Sequence, residues 1–132
     1  MTSQVVSTIT EGIRVNVRTV YVREESAPQY QYFVFAYEVE IINESPFSVQ
    51  LLSREWLITD GIGEKKTVKG DGVIGKQPFI APGESYKYVS GTQFNTTVGK
   101  MCGHYIMEKQ VDRSQLRVMI PPFIMVVPFA NN

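Results

Sequence analysis

Apolar and polar residues alternate along most of this chain with a period of two, the pattern of strands that keep one face in a core. Ile13, Val15 and Val17 alternate with Arg14, Asn16 and Arg18. The parity then changes, because Val20 and Val22 are the next apolar positions, and a bulge near Arg18–Thr19 is expected. Glu24 to Gln29 reads as a loop. A long strand is predicted over Tyr30 to Asn43, with Phe33, Phe35, Tyr37, Val39 and Ile41 on one face. Its other face carries Tyr32, Val34 and Ala36 before turning acidic at Glu38 and Glu40. A strand apolar on both faces for half its length belongs in the middle of a sheet.

Asn43-Glu44-Ser45-Pro46 is a turn. Phe47 to Leu52 and Glu55 to Thr59 read as two short strands, with Asp60-Gly61 as a tight hairpin. Lys65 to Lys69 is a polar, exposed strand. Residues 70–83 hold four glycines and two prolines and read as a long loop with a brief extended piece, closed by a type II turn at Pro82-Gly83. Ser85 to Ser90 and Met101 to Lys109 are strands separated by the polar stretch Gly91 to Lys100, and Leu116 to Pro128 closes the chain. Seven to eight strands and no helix predict an all-β antiparallel sandwich of the immunoglobulin or fibronectin type III-like kind. A single domain over residues 1–132 is the expected organisation.

Charge narrows the function classes. Thirteen basic residues balance thirteen acidic ones, so no net field draws the chain to nucleic acid or to an anionic membrane. The longest apolar run, Val118 to Ala130, is short of the ~20 residues of a spanning helix and is broken by prolines, so no membrane segment is expected. Cys102 is the single cysteine; no internal disulfide can form, which suits a reducing cytoplasm. The start, Met1 to Gln4, carries no signal-peptide features.

The chemistry on offer is sparse. Gly70-Asp71-Gly72-Val73-Ile74-Gly75 is a formal G-x-G-x-x-G, but Gln77-Pro78 follows where a dinucleotide fold requires a helix. Two readings remain. Glycines at positive φ let the chain cross between sheets. Alternatively, the amides of Gly70, Gly72, Val73, Ile74 and Gly75 form an anion-binding nest flanked by Lys69 and Lys76. His104, the only histidine, shares a strand face with Cys102 at a Cα spacing of ~7 Å, too far for a ready nucleophile–base pair. One Cys and one His do not make a zinc site, and no catalytic residue is assigned. Glu38 and Glu40 read as a solvated face. Tyr30, Tyr32, Phe94, Phe123 and Phe129 are aromatics that an exposed binding patch could use. Pro121 and Pro122 guard an edge strand, and Phe123 to Val127 beyond them could pair with a partner chain or a second copy.

Several segments, taken in order, carry a family resemblance. They are Arg54-Glu55-Trp56-Leu57-Ile58-Thr59-Asp60-Gly61, the glycine loop Gly70 to Pro78, Ala81-Pro82-Gly83-Glu84-Ser85, Tyr88-Val89-Ser90-Gly91, Met101-Cys102-Gly103-His104-Tyr105-Ile106-Met107 and Ile120-Pro121-Pro122-Phe123. Together they resemble the ApaG family, also called CorD, over essentially the whole chain. The resemblance implies a fibronectin type III-like sandwich, cytoplasmic location, no firmly attached enzymatic activity and a link to cobalt and magnesium resistance. It also implies two roles: protein interaction as an adaptor, or binding of pyrophosphate or a nucleotide polyphosphate through the glycine loop, with Mg²⁺ entering only alongside such a ligand. Glu55 stands at a position that is frequently basic in the family. The adaptor role is the leading expectation. A sensor should lose binding on Gly72→Val.

Overall fold

The computed structural model describes residues 5–128, so Phe129 lies outside it. Nine strands follow one another: β1 (Val5–Thr10), β2 (Ile13–Tyr21), β3 (Phe33–Asn43), β4 (Val49–Asp60), β5 (Lys65–Asp71), β6 (Phe79–Ile80), β7 (Ser85–Phe94), β8 (Val98–Lys109) and β9 (Gln115–Val126). Between β2 and β3 the described residues form two 3-10 turns, Arg23–Glu25 and Pro28–Tyr30. One sheet has the order β1-β2-β3-β7 and the other β5-β4-β8-β9, with β6 also paired to β4. The architecture is the expected all-β antiparallel sandwich. No helix among the described residues is long and apolar enough to cross a membrane.

The alternation predicted for β3 is realised: Phe33, Phe35, Tyr37, Val39 and Ile41 are buried, and β3 lies between β2 and β7. Opposite them the second sheet buries Leu51, Trp56, Tyr105, Met107, Ile120 and Phe123. Tyr37, Trp56 and Phe123 meet edge-to-face or tilted, with ring centroids 5.5–5.9 Å apart. Two buried sheet faces interdigitating in this way are the main source of stability in such a fold.

The register corrects the sequence reading in four places. First, β2 carries no bulge at Arg18–Thr19. Its pairing with β3 is unbroken from Ile13↔Asn43 to Tyr21↔Phe35, and Val20 simply faces solvent. Second, the segments read as 47–52 and 55–59 are one strand, β4, with a bulge between Leu51 and Ser53. The extra residue moves the buried parity from Val49 and Leu51 to Trp56 and Ile58, which looks like a break when only periodicity is read. Third, the turn after β4 is a four-residue loop. Asp60 Oδ1 accepts the N–H groups of Ile62 and Glu64, and Gly63, not Gly61, holds the positive φ. Fourth, 91–100 is mostly strand, because β7 runs to Phe94 and β8 starts at Val98. β1 went unpredicted because its two faces alternate only between exposed and half-buried.

Asn43 fastens one end of the sandwich. It is fully buried, its Nδ2 donates to the carbonyls of Phe47 (2.7 Å) and Ile80 (2.9 Å), and its Oδ1 accepts from the Ser45 N–H and hydroxyl. Its backbone N–H donates to Glu84 O, and its carbonyl accepts from Gly83 N–H. The Pro82-Gly83 turn is as predicted, with Gly83 at φ 83° and Glu84 N–H donating to Ala81 O.

Candidate functional site

The glycine segment leaves β5 at Asp71 and folds into a tight hairpin. Val73 N–H donates to Lys76 O at 2.8 Å and Lys76 N–H to Val73 O at 3.0 Å. Ile74 (φ 48°) and Gly75 (φ 72°) form its two-residue tip, the paired positive φ values of a type I′ turn. Gly72 N–H donates to Leu52 O. Three of the amides proposed or flanking as an anion nest therefore already have protein acceptors.

Each glycine of the motif has a structural task. A Cβ at Gly72 would stand 2.2 Å from Lys76 O, and its φ is 61°. Gly75 supplies the second positive φ of the turn. A Cβ at Gly70 would meet the Arg54 guanidinium at 2.8 Å, because that guanidinium lies across it and donates through one nitrogen to Asp71 O and Gly72 O. Arg54 was visible in the sequence only as part of a family segment. The β4 bulge gives it the inward parity of Trp56 and Ile58, and that bulge is what periodicity could not reveal.

The remaining candidates separate. Val73 is buried at 1% exposure, whereas Ile74, Gly75 and Lys76 are exposed at the hairpin tip. Lys69 turns to the outer face of the second sheet, its Nζ 3.7 Å from Glu55 Oε1, and Glu55 is 3.9 Å from His104 Nε2. These three, with Ser53, Asp71 and Ile106, line a shallow depression of about 280 Å³. Burial chiefly, and the nearby Arg117, hold the His104 pKa below its ordinary value against the pull of Glu55. This shift favours the neutral imidazole and weakens any ion pairing of His104 with Glu55. Cys102 and His104 lie on the same strand opposite Leu57 and Glu55. Among the described residues no group of three or more His, Cys, Asp or Glu is placed to hold a metal.

Of the aromatics, Phe94 and Phe123 are in the core, and Tyr30 and Tyr32 are exposed. Sequence reading missed an apolar column on the outer face of β9. Met119, Pro122, Ile124 and Val126 are exposed there, and Leu57 and Cys102 extend the column across β4 and β8. Alternation in β9 did carry the signal, but the segment was read as an edge strand whose backbone could pair with a partner, and its outer face was not singled out. Between the sheets, the Tyr88 and Tyr105 hydroxyls share a short hydrogen bond. Burial raises the pKa of both phenols, and that of Tyr37, whose hydroxyl bonds Ser90.

The fold and this geometry define a class: a two-sheet sandwich whose glycine hairpin is pinned by an inward arginine. The family model described as the ApaG domain matches residues 23–109, which span β3 to β8 and include Arg54 and the hairpin. The chain is 49% identical over 116 residues to Protein ApaG of Vibrio vulnificus, covering 88% of this chain and 91% of that one. It is 44% identical over 122 residues to Protein ApaG of Paramagnetospirillum magneticum, covering 92% and 93%. A crystal structure of an ApaA protein from Bordetella pertussis superposes with a TM-score of 0.84 at 38% identity, covering 92% of this chain and 95% of that one. The chain belongs to the ApaG family. A likeness to the C-terminal domain of wzt, at 9% identity, TM-score 0.54 and coverage of 93% of this chain and 77% of that one, shows the fold alone.

Proposed function

We propose that this chain is a cytoplasmic binding module that presents the outer face of its second sheet to a protein partner and performs no reaction of its own. The observation that carries this reading is the exposed apolar column Met119, Pro122, Ile124 and Val126, widened by Leu57 and Cys102. Lys69, Lys100 and Arg117 stand around it. An apolar centre inside a charged rim is the make-up of a protein interface, and contiguous apolar surface on a folded chain marks an interaction site. On this reading the cobalt and magnesium link implied by the family acts through the partner.

The sensor reading draws on the hairpin tip, where Ile74, Gly75 and Lys76 are exposed. It is weakened by the amides of Gly72, Val73 and Lys76, which already donate within the chain, and by Glu55, which partners Lys69. Gly72→Val is a poor test of it, because the new side chain collides with Lys76 O and would disturb the hairpin whether or not an anion binds.

The test places a photo-crosslinking amino acid at Leu57 or Ile124, and at Asn16 on the opposite face, in living cells. The module reading expects a discrete adduct from Leu57 and Ile124 and none from Asn16; an adduct of two copies of this chain identifies a homodimer. Equal labelling from both faces, or none, overturns it. Pyrophosphate titrated with Mg²⁺ should leave the amide signals of 73–76 in place, and saturable shifts there would restore the sensor.

A further inference from the structure

Strand pairing sets out the outer face of the second sheet in rows that run from β5 across β4 and β8 to β9. One row reads Asp71, Ser53, Ile106, Arg117, and the next reads Lys69, Glu55, His104, Met119. Leu57 and Cys102 stand opposite each other in the middle of the face, and the row beyond them ends in Lys65 on β5 and Ile124 on β9. The face is uneven from side to side. Its β5 side is polar, its β9 side is largely apolar, and one row begins in a carboxylate and ends in a guanidinium. Asp71 and Arg117 are both exposed, and neither makes an ion pair with another described residue.

We infer that this face docks on the same face of a second copy of the chain, about a twofold axis that runs along the strands between β4 and β8. The inference rests on the binding-module reading above and names its partner. Such an axis lays β5 of one copy over β9 of the other and β4 over β8, row upon row. Asp71 then meets Arg117 of the second copy, and because the contact is isologous the pair forms twice. Leu57 meets Cys102 at the apolar centre. Lys69 and Lys65 come over Met119 and Ile124, where their hydrocarbon stems cover apolar surface while the ammonium groups reach water at the rim. Glu55 comes over His104, already its neighbour within the chain. In none of these rows does a charge face its like. The other twofold, across the strands through Leu57 and Cys102, stacks β5 on itself. It sets Lys65 against Lys69 and Arg117 against the apolar end of β9. Like charges brought face to face select against that arrangement.

The experiment follows the whole chain by sedimentation over rising concentration, with amide spectra at both ends of the range. A monomer–dimer equilibrium is expected, and the signals that move with concentration should be those of Leu57, Cys102, Met119 and Ile124. Asp71→Arg and Arg117→Asp, both at exposed positions, should each weaken self-association roughly tenfold. Mixed in equal amounts, the two variants should pair with each other as tightly as the native chain pairs with itself, because each contact again joins Arg to Asp. Leu57→Lys should abolish the dimer from the centre of the face without touching either charge. A chain that stays monomeric up to its solubility limit, single variants that the mixture does not rescue, or concentration-dependent signals confined to the first sheet would each overturn the inference. A crosslinked adduct between Leu57 and a different protein, with the chain monomeric, also overturns it and leaves the module reading standing. No adduct from either Leu57 or Ile124 removes both.

Discussion

Where β1 meets β9, a side-chain hydroxyl and two prolines finish the edge; where β5 faces β7, no backbone pairing joins the strands among the described residues. The β5–β7 side is bridged instead by polar side chains. Asn43 ties β6 and the turn before β7 to β3. Tyr88 on β7 meets Tyr105 on β8 through their hydroxyls. Arg54 on β4 holds the carbonyls at the end of β5. The difference shows how a sandwich can leave one edge available without losing the core behind it. Side-chain hydrogen bonds close the interior, and the backbone of the edge strand stays unspent.

The comparison can be broken most sharply at Asn43. Asn43→Leu takes its donor from Ile80 O and its acceptor from the Ser45 N–H in a buried site, and leaves Phe47 O with the Ser45 hydroxyl alone from this cluster. It should cost about 3 kcal/mol or more, read from the urea midpoint. The tyrosine pair comes next. Tyr88→Phe or Tyr105→Phe alone leaves a buried hydroxyl without its partner, at about 1–2 kcal/mol each. The double substitution should cost less than the sum of the singles, by about 1 kcal/mol in a double-mutant cycle. Both phenols have pKa values raised by burial, so their contribution is complete below the ordinary tyrosine value of about 10 and is lost as pH rises above it. Urea midpoints should therefore fall from pH 10 upward more steeply in the native chain than in the double phenylalanine variant.

Arg54→Ala removes two hydrogen bonds from a part-buried guanidinium and should cost about 1–2 kcal/mol. Hydrogen exchange should quicken at residues 70–76 and leave β8 unchanged. Gly70→Ala pushes against the same guanidinium and should reproduce that local loosening without adding to it. Thr10→Val tests the other side. It removes one acceptor at an exposed edge and should cost about 0.5 kcal/mol. A loss at Thr10 as large as that at Arg54 would end the distinction between the two sides.

Much of this was legible in the chain. The buried face of β3, the central place of that strand, the exposed lysines of β5 and the Pro82-Gly83 turn follow from alternation and turn chemistry. The β4 bulge was not legible, because one inserted residue reverses parity and imitates a strand break at Leu52; conversely, an exposed apolar residue, Val20, imitated a bulge in β2, where the pairing is unbroken. The glycine motif was legible as a place where the chain turns at positive φ. Whether its amides were free depended on partners at Leu52 and within the hairpin itself.

Local sequence determined the fold class, since period-two patterning and turn residues act over a few neighbours at a time. Tertiary structure alone decided which strands became edges, that Arg54 faces inward across Gly70, and that β7 is left uncovered. Each of these depends on pairing between residues far apart in the chain, such as Phe33 with Phe94, and no local pattern encodes which backbone groups remain unpaired once all the strands have met.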